Sequence, residues 1–311
     1  MTKNELPYIE PRFKTFNYLG INGVVANNYK DIENWYFNNC IQWQCSLNSV
    51  NNLDFLITSL SPHITMDMIE KIFFDECVET VYFDDVVHSL IDNKYYVNLW
   101  GIDDFYIYDS LNYKERHFYH DGMILGYDDK RDEYLYASYS KRKQFEKYFT
   151  SKSGVKKGIS SAHITNGASF CGIKVKENYM NTELDLSVIR KGINEYFYPK
   201  KDYEYIYGID VYKQIIDYVE RKYEANSFLD QRIFRLVKEH KKCMLDRIKN
   251  LAKIEIKYSE IYGEYKIIYQ TASILHNLCM KYNLTFNKNI LLSIVENIKS
   301  ISSKEHILLN I

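Results

Sequence analysis

Glycine and proline are scarce, 12 and 4 among 311 residues. So few glycines argue against a glycine-rich cofactor cradle, and no GxGxxG or GxxxxGKS/T string occurs. An excess of charge of either sign is also missing. Forty Lys and Arg against 41 Asp and Glu leave a formal charge of −1. A general binder of nucleic acid or of membrane surfaces carries a basic excess, so neither partner is expected. Uninterrupted apolar runs, such as residues 290–292, are only a few residues long, whereas a spanning helix needs about 20. The six cysteines (40, 45, 77, 171, 243 and 279) include no C-x-x-C pair. A disulfide framework and a structural zinc site are therefore not expected, and the thiols read as reduced. The opening residues lack the basic-then-apolar pattern of a signal peptide, which gives a cytoplasmic expectation.

What is present is an ordinary folding composition, 46% apolar and 26% charged, with 30 tyrosines. The chain is also rich in Lys, Asn, Ile and Phe, so a compositional bias accounts for most of the tyrosines. At roughly 100–200 residues per domain, the length suits about two domains. The texture changes near residue 185. Before it, short strands and turns alternate; after it, helical spacing dominates. Helices are predicted over 30–47, 66–74, 83–92 and 144–150. Strands are predicted over 53–58, 95–100, 105–108, 122–127, 133–138, 159–163 and 170–175, with 122–138 as a hairpin and Gly154, Gly158 and Gly167 as turns. Beyond 185, helices are predicted over 184–197, 211–221, 227–252, 253–282 and 284–300. Phe234, Val237, Lys241, Met244 and Ile248 form one stripe, read as a bundle core. The expected fold is α+β: N-terminal helices on a mainly antiparallel sheet over 1–184, then a helical domain over 185–311.

Three strings hold the candidate chemistry. In Asn38-Asn39-Cys40-Ile41-Gln42-Trp43-Gln44-Cys45-Ser46, a helix starting at an asparagine cap would put Cys40 in its first turn. There the free N–H groups and the helix dipole favour a thiolate. A helix running through from Lys30 would instead make Cys40 a small buried apolar residue. Cys45 is the competing thiol. In Arg116-His117-Phe118-Tyr119-His120-Asp121-Gly122, His120 heads an apolar strand and is preferred to His117, which lies three residues earlier and faces the other way. In Glu133-Tyr134-Leu135-Tyr136-Ala137-Ser138, the return strand offers Ser138 to orient the imidazole.

The order of a cysteine, then a histidine 80 residues on (75 from Cys45), then Gly126-Tyr127-Asp128 and a partner on the next strand resembles the papain-like families related to C39 peptidases. In texture it is most similar to the N-terminal domains of butirosin biosynthesis protein H. The resemblance implies a papain-like core in which Cys40 is the nucleophile and His120 the base. It implies a thiol acyltransferase of secondary metabolism (nonribosomal peptide or aminoglycoside) that forms an amide from an acyl thioester and an amine. The partners implied are an acyl or peptidyl carrier protein, whose phosphopantetheine presents the acyl group, and a small amine; no resident cofactor is implied. The family's oxyanion-donating glutamine corresponds to Asn34 relative to Cys40, or to Asn39 relative to Cys45. Where the family has Asp or Asn on the return strand, this chain has Ser138, which lends no charge. That departure motivates a second reading, an inactive binding or scaffolding protein of an assembly line; a cysteine peptidase is a third. His63, His88 and His276 have no ligand-type neighbours at metal spacing. Asp103-Asp104 and Asp128-Asp129 read as solvated turn carboxylates. His240, Lys241, Lys242 and Arg247 read as a basic helix face, either solvated or docking an acidic carrier or its phosphate.

Overall fold

A computed structural model describes residues 3–47, 55–60, 66–73, 82–165 and 169–309. His63, Cys77, Gly167 and the first two residues of the expected strand 53–58 lie outside the described residues. In chain order the elements are β1 (Lys3–Glu5), α1 (Asn17–Ala26), α2 (Ile32–Asn39), β2 (Trp43–Ser46), β3 (Phe55–Ile57), β4 (Ile69–Phe73), α3 (Phe83–Asp92), β5 (Tyr96–Asp103) and β6 (Tyr119–Asp128). There follow β7 (Glu133–Tyr139), β8 (Phe145–Ser151), α4 (Lys152–Thr165), β9 (Ser169–Val175), α5 (Leu186–Phe197), β10 (Tyr205–Tyr207), α6 (Val211–Ala225), α7 (Gln231–Leu251), α8 (Lys257–Thr285) and α9 (Lys288–Leu309). They form two compact units: Met1–Ile32 with Thr65–Asn181, and Glu33–Ile64 with Thr182–Ile311. The break expected at 184/185 falls instead at 181/182, and the division also gives 33–64 to the helical unit. That segment joins the helical unit because β2 pairs with β10.

The first unit is an antiparallel sheet in the order β4-β9-β5-β6-β7-β8. β5 pairs with β6 as far as Ile124, and β1 then takes its place beside Gly126–Asp128. One face is covered by α3 and α4, which send Phe83, Val87, Leu90, Val155, Ile159 and Ala162 into a core with Val97, Ile102, Ile124, Tyr136 and Phe170. The predicted hairpin is β6–β7. Three expectations reverse here. Residues 66–74 and 144–150 hold the strands β4 and β8, not helices. Their spacing suits either state, and cross-strand partners decide it: Ile72 lies opposite Gly172, and Tyr148 opposite Tyr136. Residues 159–163 lie within α4 instead of a strand, because Val155, Ile159 and Ala162 recur at helical spacing. Gly154 and Gly158 are accordingly helical. A Cβ at Gly154 would lie 2.7 Å from the Tyr106 carbonyl, and one at Gly158 would lie 3.0 Å from that of Asp103. Their bareness lets α4 lie directly on the end of β5. There residues 104–106 form a 3-10 turn, not the strand expected over 105–108.

The second unit pairs β10-β2-β3 antiparallel and holds, among the described residues, α2 from Glu33 onward and the helices α5 to α9. The expected helix 30–47 is broken after Asn39, and β2 follows. Asp185 and Asp230 cap α5 and α7, their carboxylates accepting from backbone N–H groups of the first turn. The stripe Phe234, Val237, Lys241, Met244 and Ile248 is buried throughout. Lys241 is tolerated there because Nζ lies 2.9 and 3.0 Å from the two oxygens of Glu305 and 4.0 Å from the centre of the Trp43 ring. Glu305, also fully buried, accepts hydrogen bonds from the hydroxyls of Tyr196 (2.9 Å), Tyr212 (2.6 Å) and Tyr265. Burial depresses the Lys241 ammonium to about 8 despite this carboxylate. Replacing Glu305 by Leu leaves a buried cation and three phenols without their acceptor. It should cost about 3–5 kcal/mol in urea unfolding, as expected for removing one partner of a buried pair.

Candidate functional site

The first unit gathers two carboxylates and two imidazoles where β5 hands over to β6. A bulge interrupts β5–β6 pairing between Leu99 and Ile102, and Gly101 takes φ +68° there. The bulge re-aims the chain so that Asp103 and Asp104 both turn inward. Both are 0% exposed, which overturns their reading as solvated turn residues. The Asp103 carboxylate accepts from the backbone N–H of Phe105 (3.1 Å) and Phe118 (3.3 Å) at Oδ1. At Oδ2 it accepts from Nδ1 of His117 and from the Ser161 hydroxyl, each at 2.7 Å. Burial pushes this carboxyl up, but the four donors prevail and hold it below its ordinary value. With Nδ1–H committed to Asp103, His117 carries Nε2 as its free acceptor. Its side chain is 55% exposed and its ring stacks on Phe105, centres 4.4 Å apart.

His120, the second residue of β6, lies opposite Ile102 and is partly exposed. The Asn17 amide nitrogen lies 2.8 Å from its Nδ1, 3.0 Å from the Ser138 hydroxyl and 2.5 Å from the Asp121 carbonyl. Since that nitrogen must donate to the carbonyl, we assign His120 Nδ1 as an acceptor and Nε2 as the bearer of the proton. Ser138 thus reaches the ring through Asn17, a residue that the sequence did not single out. Asp104 Oδ2 stands 4.0 Å from the same Nδ1 and accepts from the Asn112 amide at 3.2 Å. Burial, and secondarily the charge of Asp103, raise the Asp104 carboxyl to about 7 against the pull of Asn112. Three buried oxygens in this neighbourhood, Asn17 Oδ1, Asp104 Oδ1 and Tyr136 Oη, have no hydrogen-bond partner. The Tyr136 hydroxyl rests on Gly122, where a Cβ would lie only 1.6 Å away.

The second unit contains the expected nucleophiles. Cys40 follows the last residue of α2, so it stands at the carbonyl end of a helix and not in a first turn. The helix dipole there disfavours a thiolate. The residue is fully buried, its Sγ lies 3.5 Å from the Ser59 hydroxyl, and its carbonyl accepts from Arg247 at 2.9 Å. Cys40 is thus a small buried residue, and α2 ends one residue before it. Cys45, on β2, is also fully buried, and burial pushes its thiol up to about 12. The Asn34 amide donates to the Thr182 carbonyl (3.0 Å), and that of Asn39 to the carbonyl of Trp35 (2.9 Å) in its own helix. Both amides are thus engaged by backbone. The basic face also needs correction. His240 and Lys241 are 0% exposed, and only Lys242 reaches solvent, paired with Asp246. His240 donates from Nε2 to the Ile41 carbonyl (2.8 Å) and accepts from Lys241 at Nδ1 (3.0 Å). Burial and the adjacent Lys241 charge keep it neutral.

Cys40 and Cys45 therefore belong to one unit, and His117, His120 and Ser138 to the other. Among the described residues, no three His, Cys, Asp or Glu side chains are grouped to hold a metal ion. No helix among them is long and apolar enough to cross a membrane. No family model and no curated protein matches the chain.

The two aspartates should oppose each other in pH dependence. Asp103, held below 3.8, stabilises the fold above that value, and the contribution is lost as pH falls through its folded value. Asp104, raised from 3.8 to about 7, favours the fold when protonated; that contribution is complete below 3.8 and is lost as pH rises through about 7. Urea midpoints measured from acid to weakly alkaline pH should show Asp104→Asn gaining on the wild type as pH rises. Asp103→Asn should lag most at neutral pH and converge with the wild type in acid.

Proposed function

We propose that the chain is a cysteine-dependent acyltransferase that forms an amide from a carrier-bound acyl thioester and an amine. The supporting observation is the Asp103–His117 pair. A buried, ionised carboxylate fixes Nδ1–H of a half-exposed imidazole and leaves Nε2 outward, as a general base requires. The acyl donor, the carrier and the amine rest on the family resemblance alone, as does the papain-like form of the core.

In this reading the cysteine sulfur attacks the thioester carbon, and the carrier thiolate leaves, taking a proton. The amine then attacks the acyl-cysteine, its proton passes to the imidazole, and the cysteine is released. Sequence order favours His120 as the base, whereas geometry favours His117, whose Nδ1 lies 2.7 Å from the buried Asp103 carboxylate. His120, with its proton on Nε2, is suited to donate to developing negative charge. The unpaired Asn17, Asp104 and Tyr136 oxygens would accept from the N–H groups of an amine. Cys40 remains the first candidate for the nucleophile on the family resemblance, with Cys45 as its competitor; both thiols are fully buried. The burial of both thiols favours a second reading, a binding or scaffolding protein that makes no covalent intermediate.

Incubation with an N-acetylcysteamine acyl thioester, read by intact-protein mass spectrometry, separates these readings. An acyl adduct lost in Cys40→Ala supports the proposal; one lost only in Cys45→Ala moves the nucleophile there. No adduct on the wild type, with both thiols alkylated by iodoacetamide no faster than a model thiol, supports the binding role. His117→Gln should slow acyl transfer to an added amine by about 10²–10⁴-fold, and an equal loss only in His120→Gln would return the base to His120.

A further inference from the structure

Within the helical unit, α5, α8 and α9 line a half-open cavity of about 270 Å3 that plays no part in the proposed chemistry. Its size approaches the range of small-molecule sites, about 300–1,000 Å3. The walls are mainly apolar, with Ile193, Phe197, Ile261 and Leu309 among them. The charged residues in the lining are Arg190 and Lys257, both cations. Their shared acidic partner, Glu255, stands outside the lining, ion-paired to Arg190 and 3.5 Å from Lys257. One carboxylate thus serves two cations, and both keep about half their side-chain surface in solvent, 55% for Arg190 and 41% for Lys257. Tyr198, also in the lining, is 62% exposed, and Ile256, next to Lys257 in the chain, is 78% exposed. Apolar surface therefore continues outward beside the positive charges.

We propose that this cavity binds a small amphiphilic anion, with its aliphatic part against Phe197, Ile261 and Leu309 and its carboxylate or phosphate head at Arg190 and Lys257. Burial of the tail supplies non-directional attraction. The guanidinium fork and the ammonium select a charged head over a neutral one. A cationic amphiphile is excluded by the same two charges.

Isothermal titration of the full chain with decanoate, decyl phosphate, decanol and decylamine, each below its aggregation concentration, tests this. Saturable one-to-one binding of either anion, with decanol at least tenfold weaker and decylamine undetected, is the expected result. Decanoate against decyl phosphate then identifies the preferred head. Arg190→Gln with Lys257→Gln, both at exposed positions, should weaken the anion about 10–100-fold and leave decanol unchanged, while circular dichroism reports an intact fold. Ile193→Trp, which fills the cavity from its partly buried wall, should abolish binding of all tails. Decanol binding as tightly as decanoate, anion affinity unmoved by the double variant, or no saturable heat with any ligand would overturn the proposal. None of these outcomes depends on whether an acyl-cysteine forms.

Discussion

A carboxylate withdrawn from water must find other donors, and Asp103 finds four, from three separate stretches of the chain. The backbone of the turn after β5, the residue just before β6, the helix α4 through Ser161 and the ring of His117 all converge on one side chain. The first unit is organised around this convergence. The charge fixes where α4 crosses, where β6 begins and which way an imidazole faces. The neighbouring Asp104 has the opposite environment, a single amide and little else, and its proton is correspondingly harder to remove. Two adjacent carboxyl groups with such different environments are the usual means of separating acid and base roles in one site.

The helical unit solves the same problem on a larger scale. Glu305 replaces water with three phenols and one ammonium, and that ammonium also lies over an indole and donates to a neutral imidazole. A residue set that looks basic and solvated when written out as His-Lys-Lys is divided by the helix: two members go to the interior and one goes to water. The polar interior links β2, α5, α6, α7, α8 and α9, so side chains far apart in the chain depend on one charge.

Much of the architecture was legible in the residues. The α+β class, the β6–β7 hairpin and the helical C-terminal region follow from hydrophobic periodicity and turn residues. β4 and β8 were misread because aromatic and aliphatic residues fell at spacings that fit a helix as well as a strand, and only cross-strand partners decide. The burial of Asp103 and Asp104 was hidden because a sequence does not show a helix descending on a turn. A trace was present even so: Gly154 and Gly158 lie four residues apart among Val155, Ile159 and Ala162, a pattern that marks one helix face as bare. The Lys241–Glu305 pair also had a signal. Each residue interrupts an otherwise apolar stripe, between Val237 and Met244 on α7 and four residues after Ile301 on α9. Asn17 gave none, because its link to His120 spans more than a hundred residues and is made only by the fold.

The handover between β5 and β1 along β6 has a consequence for the behaviour of the chain in solution. Past Ile124, that side of β6 is covered by Lys3–Glu5 beside Gly126–Asp128 and by the Leu6 N–H, which donates to the Leu125 carbonyl at 2.7 Å. If this short cover peeled away, Gly126–Asp128 would become an open hydrogen-bonding template of the kind that recruits strands from other molecules. The charged pair Lys3 and Glu5 makes the cover itself a poor seed for such stacking. Colloidal behaviour thus depends on one of the smallest elements of the fold, and an affinity tag fused ahead of it would load the hinge of that seal.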